Sequence, residues 1–231
     1  MKFEKIIEWD KNYFMKINQY NNQFLTIIFK IISFFGRESF WLFLIATFIF
    51  IYYWRLPFIS IGLCLLYGLG ICYIVKIIID RNRPYQNNLI KDRVKRRENV
   101  GSSSSFPSWH TYNITAQILI FYFIFQDSLI LLIGIPFTIL LGISRIYLGV
   151  HYPTDVIFGF IFGVIGYFIT ISTFNWWYFL VLAVEEWAGF GGQPDQIINS
   201  FFKFPWYTIL VIIIFVFILI SSIFKLIKRN N

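Results

Sequence analysis

Charge is scarce in this chain. Only 14% of its 231 residues are Asp, Glu, Lys or Arg, where a water-soluble domain carries about a quarter, and the shortage excludes an ordinary soluble domain. Cysteine is nearly missing. Cys64 and Cys72 fall eight residues apart in one apolar stretch, about 12 Å along a helix and too far for a disulfide, so both read as packing residues. Acids are few and histidines number two, His110 and His151, which leaves no cluster suited to a catalytic metal; no cofactor is expected. Proline occupies only seven positions, so long uninterrupted helices are permitted.

Apolar side chains are what the sequence has instead. Hydrophobic residues make up 58% and aromatic ones 22%, with a mean hydropathy of +0.65. Several apolar runs approach the roughly 20 residues that a membrane-crossing helix requires. The expectation is an all-α integral membrane protein, an antiparallel bundle of about five to seven transmembrane helices with an N-terminal amphipathic helix at the interface.

Expected spans are Phe40–Trp54, Leu56–Ile79, Trp109–Phe125, Leu129–Tyr147, Pro153–Phe174 and Trp206–Ile223. The turns at Arg55 and at Gln126-Asp127 are short, which makes neighbours antiparallel. Ahead of them, Ile6, Trp9, Tyr13, Ile17, Tyr20 and Phe24 recur at three- and four-residue steps, the period of an amphipathic helix. The alternating acids and bases around them do not have the form of a signal peptide. The stretch from Phe24 to Phe35 is short for a span and reads as interfacial or re-entrant, with a tilted crossing as the competitor. Residues 1–36 are thus an interfacial segment, 37–174 a transmembrane core, and 175–231 an appendage with one further span.

The net charge of +8 gathers in one loop, where Arg81, Arg83, Lys91, Arg93, Lys95, Arg96 and Arg97 face Asp80, Asp92 and Glu98. Such a loop is either an ordinary positive loop or anionic-lipid patch, or a phosphate-collecting mouth. Nucleic acid is not an expected partner, because membrane spans bracket the loop and no reading module is present.

Three stretches place polar residues at the ends of apolar helices. In the first, Lys76 lies inside an apolar run, where an unpaired charge costs a few kcal/mol. Arg83 follows seven residues later on the same helix face, and Pro84 stops the helix. The plainer alternative is a Lys76 that reaches the interface and pairs with Asp80. In the second, Phe106-Pro-Ser-Trp-His-Thr111, Ser108 is a good N-cap. The N–H groups of Trp109, His110 and Thr111 would then form an anion site at a helix N-terminus, although a plain capped helix fits equally well. In the third, Ser144-Arg145 precedes His151 and Asp155, four apart, so that the carboxylate can hold one imidazole nitrogen and leave the other as a nucleophile. Its alternative is an interfacial histidine satisfied by Asp155 at a helix start. Three cations and both histidines gathered on one membrane face would complete an in-line phosphoryl-transfer site, with cations neutralising the oxygens, one histidine attacking and the other acting as acid.

The pattern Lys-x6-Arg-Pro, Pro-Ser-x-His, Ser-Arg-x5-His-x3-Asp resembles the signature of the type 2 phosphatidic acid phosphatase family, which includes vanadium haloperoxidases, glucose-6-phosphatase and bacterial polyprenyl-diphosphate phosphatases. The likeness spans Lys76 to Asp155, about a third of the chain. It implies a phosphohistidine on His151, oriented by Asp155, and His110 as acid and then as base for water. Lys76, Arg83, Ser108 and Arg145, with Ser144 and the backbone of Trp109, would bind phosphate. The family usually has glycine where Trp109 stands, and this indole is expected to turn toward lipid.

The implied activity is metal-independent hydrolysis of a lipid phosphate such as undecaprenyl diphosphate, phosphatidylglycerol phosphate, phosphatidic acid or a lipid A phosphate. A lipid phosphotransferase and a catalytically silent lipid-binding scaffold are the rivals. Arg55 and the tail residues Lys225, Lys228 and Arg229 point to a site facing outward from a bacterial inner membrane.

Overall fold

The computed structural model describes residues 2–101, 103–189, 191–192, 195, 197–198 and 204–227. The helices are α1 (Lys2–Gln19), α2 (Gln23–Phe34), α3 (Glu38–Ala46), α4 (Arg55–Ile79), α5 (Trp109–Phe125), α6 (Ser128–Tyr147), α7 (Pro153–Trp187) and α8 (Pro205–Ile227). Helices α4, α6 and α7 are long and apolar enough to cross a membrane, and α2 joins α3 and its π-helical extension at a bend of 47° as a broken fourth. Among the described residues that makes three such helices, or four with the bent pair counted as one span; α5, of 17 residues, and α8 are further apolar helices. The protein is an all-α integral membrane bundle.

Element ends follow local chemistry. Asp127 caps α6 by accepting from the Leu129 N–H at 2.9 Å, and α4 ends where Asp80 turns left-handed at φ 35°, a conformation Asp tolerates better than most residues. Helix α7 runs unbroken through Phe174 to Trp187, so the aromatic stretch after Phe174 prolongs that helix. At 1.5 Å per residue it is about 50 Å long, more than the ~30 Å hydrocarbon core.

Helix α5 is the hub, in contact with α4, α6 and α7. Glycines let the backbones approach, as is common between membrane helices. The Tyr112 ring lies between Gly68 of α4 and Gly166 of α7, and its hydroxyl donates to the Cys64 carbonyl at 3.1 Å. Cys64 and Cys72 are buried packing residues, unbridged.

The N-terminal helix has two working faces. Ile6, Trp9 and Tyr13 of α1 are exposed, as an interfacial helix requires, whereas Ile17 packs against the core, and Tyr20 and Phe24, also exposed, lie beyond the end of α1, Phe24 in α2. The opposite stripe, Asp10, Phe14 and Asn18, is buried at four-residue spacing. Asn18 exchanges hydrogen bonds with the backbone of Lys95, at 2.9 Å and 2.8 Å, and donates to the Tyr147 carbonyl at 3.1 Å. The basic loop is thereby tied to α1 and to the end of α6.

Two observations bear on the expected orientation. Arg55 is buried and paired with Glu185 at 2.7 Å, so its charge is neutralised within the fold and marks no membrane side. Helix α8 starts beside Phe50, whose carbonyl accepts from the Tyr207 hydroxyl at 2.9 Å, and passes Phe43 through Phe215. It therefore runs from the far end of α3 back toward Glu38. The stretch carrying Lys225 returns to the face that bears the two histidines, while Lys228 and Arg229 lie outside the described residues. Arg55 therefore does not serve as a marker of side, and of the tail only the helix that carries Lys225 is described.

A β-carbon at Gly163 would lie 2.7 Å from the Tyr112 carbonyl oxygen and 2.7 Å from the Thr115 β-carbon. Backbone cannot swing aside, so Gly163→Val should force α5 and α7 apart at a cost of roughly 1–3 kcal/mol. The expected outcome is a lower melting temperature in detergent, and an unchanged one would contradict this packing.

Candidate active site

The three polar stretches converge on one cavity of ≈ 390 Å³ at one end of the bundle, lined by Lys76, Arg83, His110, Arg145 and His151 together with Trp109 and Glu38. Each cation is held by groups that leave it facing this space. Lys76 sits in the last turn of α4, and its Nζ donates to the carbonyls of Ser104 at 2.6 Å and Pro107 at 2.9 Å, rather than reaching out to Asp80. Arg83 donates to the carbonyls of Ser103 at 2.9 Å and Val150 at 3.1 Å, and one of its terminal nitrogens lies 3.5 Å from His151 Nε2.

Arg145 is wholly buried. It donates to Ser33 of α2 and, at 2.6 Å, to Glu98, which also accepts from Arg37 at 2.8 Å. One carboxylate thus ties the last turn of α6 to the start of α3. Burial alone would raise the Glu98 carboxyl, but Arg145 and Arg37 outweigh it and hold the group below its ordinary range.

The histidines come from different elements. His110 lies in the first turn of α5, packed on Gly36, where a β-carbon would stand 2.7 Å from its own. His151 lies in the turn between α6 and α7, with Nδ1 3.5 Å from Asp155 Oδ2. Burial, and then the neighbouring Arg83, Arg145 and Lys76, press its pKa well below the ordinary histidine value. The ring is therefore neutral at neutral pH, the form in which a nitrogen lone pair can attack.

Three sequence-level candidates stand behind the cavity rather than on its wall. Asp155 is fully buried beneath His151. Ser108 precedes α5 but makes no side-chain cap bond; its hydroxyl accepts from Thr111 at 2.8 Å, and its N–H donates to the Asp155 carbonyl at 2.9 Å. Ser144 does not reach the site, because its hydroxyl is turned back onto the Leu141 carbonyl at 2.6 Å. Trp109 departs from expectation in the other direction. Its indole forms part of the cavity wall, stacked on Tyr112 at 5.6 Å between centroids and donating to Glu38 at 3.3 Å.

The basic loop is mostly structural. Among the described residues, Arg83 is the one of its seven cations that lines the cavity. Lys95 donates to the Gln19 carbonyl at 2.8 Å, Arg97 to the Tyr147 carbonyl at 2.6 Å, and Arg96 covers the Tyr85 ring at 4.1 Å. Sequence reasoning did not single out Glu98, Arg37, Glu38 or Gly36 for the site. Their pairings join segments tens of residues apart, and no local period marks them.

Fold and cavity together define a class: a helical integral-membrane protein with a cationic, histidine-bearing pocket at one end of its bundle. The chain belongs to the PAP2 superfamily, which it matches over residues 57–179, more than half its length. It is similar to phosphatidylglycerophosphatase B of Bacillus subtilis (strain 168), 33% identical over 105 residues that cover 42% of this chain and 47% of that protein. The match thus spans about half the length of that curated relative. The crystal structure of the first transmembrane PAP2-type phosphatidylglycerolphosphate phosphatase from Bacillus subtilis aligns with a TM-score of 0.60 at 25% identity, covering 74% of this chain and 87% of that one. The structure of Aquifex aeolicus LpxE shares the fold, with a TM-score of 0.59 at 24% identity over 71% of this chain and 95% of that chain.

The Glu98 pairing yields a pH-dependent expectation. Its folded pKa lies below the unfolded value of about 4.3, so its stabilisation is present above that value and lost as pH falls through the folded one. Glu98→Gln leaves two buried guanidinium groups without their carboxylate, at a cost of roughly 3 kcal/mol near neutrality. In melting curves from pH 7 to pH 3, the gap between parent and variant should narrow in acid, and a constant gap would contradict the pairing.

Proposed function

We propose that this protein is a membrane lipid phosphatase that hydrolyses a phosphomonoester or diphosphate headgroup through a phosphohistidine on His151. The observation that carries the reading is the meeting of two histidines and three cations, drawn from three separate motifs, around one cavity. His151 Nε2 attacks phosphorus, with Arg83 beside it and Lys76 and Arg145 neutralising the phosphoryl oxygens. The bond to the leaving oxygen breaks as His110 supplies its proton. Water, deprotonated by His110, then attacks the phosphohistidine, releasing phosphate and restoring both rings. The Asp155 carboxylate, 3.5 Å from His151 Nδ1, faces that side of the ring and balances the charge it gains, and the N-terminus of α5 adds N–H groups beside the anion. The substrate's tail remains among lipids while its headgroup enters.

Phosphatidylglycerol phosphate heads the candidate substrates, since the Bacillus relatives carry that substrate in their names. Phosphatidic acid, undecaprenyl diphosphate and a lipid A phosphate complete the panel. Metal independence fits a site in which protein cations supply the charge compensation. Among the described residues no three His, Cys, Asp or Glu side chains come together as a metal would need.

Phosphate release from this panel should persist in excess EDTA and be inhibited by vanadate, which adopts the five-coordinate geometry of the transition state. His151→Ala should abolish both turnover and any trapped phosphoenzyme. His110→Ala should slow hydrolysis of substrates with poor leaving groups by roughly 10²–10⁴-fold, yet still become phosphorylated by an activated aryl phosphate. Equal behaviour of the two variants toward both substrates, or a requirement for a divalent ion, contradicts the mechanism.

Membrane orientation is read separately. Leu89 is 73% exposed in the loop on the site face, while both native cysteines are buried. If that face looks outward from a bacterial inner membrane, Leu89→Cys should react with an impermeant thiol reagent in intact spheroplasts. Labelling only after lysis places the site inside.

A further inference from the structure

Two charged residues, Asp10 and Arg81, take no part in the mechanism above and do not line the cavity, yet they lie directly behind its proposed nucleophile. Asp155 is fully buried. Its Oδ2 accepts from the Tyr152 N–H at 2.8 Å and faces His151 Nδ1 at 3.5 Å, and its Oδ1 accepts from Arg81 at 2.7 Å. Two donors at opposite oxygens determine the plane of the carboxylate, and with it the oxygen offered to the imidazole. Arg81 is itself clamped. One terminal nitrogen donates to Thr154 Oγ1 at 2.6 Å, the other to Asp10, and the guanidinium lies over the Tyr152 ring at 4.1 Å. Asp10, 1% exposed on the inner face of α1, also accepts from the Thr154 N–H at 2.9 Å and its hydroxyl at 2.6 Å.

The geometry points to Arg81, anchored from α1 by Asp10, as a positioning residue that fixes the Asp155 carboxylate and through it the attacking imidazole of His151. The inference rests on the reading of His151 as the nucleophile. An isolated carboxylate in an apolar interior is expensive, and one without a directional partner is free to rotate away from the ring. Arg81 supplies both the opposite charge and the direction. Because neither Arg81 nor Asp10 touches the cavity, they act on the rate of attack rather than on phosphate binding. Asp10 stands outside the matched residues 57–179, so the interfacial helix becomes part of what tunes the chemistry. The reaching contact spans 71 residues of sequence.

The test uses the full-length protein in detergent with an activated aryl phosphate and a lipid phosphate. Arg81→Gln and Asp10→Asn should lower kcat and the rate of phosphoenzyme formation by roughly 10–100-fold, the size of effect usual for a group one step behind a reacting residue. KM should stay within about twofold. Arg81→Lys should recover part of the loss. Adding Arg81→Gln to Asp155→Asn should cost little more, since the two act as one unit. Wild-type kcat per folded molecule, with only the melting temperature reduced, would show a purely structural tie and overturn the proposal. If Arg81→Gln fails to fold, wild-type kcat in both Asp10→Asn and Arg81→Lys overturns it equally. Turnover retained by His151→Ala would instead defeat the nucleophile reading itself. A dead His151→Ala beside a fully active Arg81→Gln defeats the positioning role alone.

Discussion

Arg145 is a permanent cation with no measurable exposure inside a bundle built for a bilayer. A charge so placed is tolerated only with a partner, and Glu98 is that partner, brought from the basic loop and shared with Arg37 at the start of α3. Much of the architecture at this end follows from the pairing. The loop must fold back over α6 to deliver Glu98, and α2 must approach closely enough for Ser33 to meet the same guanidinium. The cation is held by one carboxylate at its back while its side chain still lines the cavity.

The helix packing serves the same end. Small residues at Gly36, Gly159 and Gly163 let α5 sink against its neighbours, so that the helix start carrying His110 arrives deep in the bundle. Tyr112, one turn above Ser108, fills the gap between α4 and α7, and Trp109 stacks on it from the cavity side. The tryptophan therefore stands in the cavity wall and is not turned out into lipid. Its N–H finds Glu38, and its ring narrows the cavity next to the proposed phosphate site.

The N-terminal helix shows how one element meets two solvents. Its exposed apolar stripe suits the bilayer surface, while Asp10 and Asn18 on the other face hold the turn after α6 and the basic loop. The cations of that loop, read from sequence as a mouth for phosphate, are largely consumed in this stitching. Their number had suggested a ligand, but Lys95 and Arg97 bond to backbone carbonyls at the ends of α1 and α6, and Arg81 to Asp10 and Asp155.

The all-helical membrane class, the boundaries of α4, α5 and α6, and the three cations and two histidines that line the cavity were legible in the sequence. Each depends on local spacing: apolar run length, short turns between runs, a histidine four residues before an acid. The expected proline stop and the shared helix face of Lys76 and Arg83 do not hold, because α4 ends at Asp80 and Arg83 reaches the cavity from the extended segment beyond it. Spacing along one chain does not say which distant segment faces which. Tertiary structure alone turned Ser144 back onto its own helix, brought Trp109 to the cavity wall, carried α7 past Phe174 and returned α8 to the site face. It also decided the ion-pair partners, Glu98 for Arg145, Glu185 for Arg55 and Asp10 for Arg81. Those choices are made by burial, because a charge removed from water takes whichever opposite group the fold brings within reach, however far away it lies in the sequence.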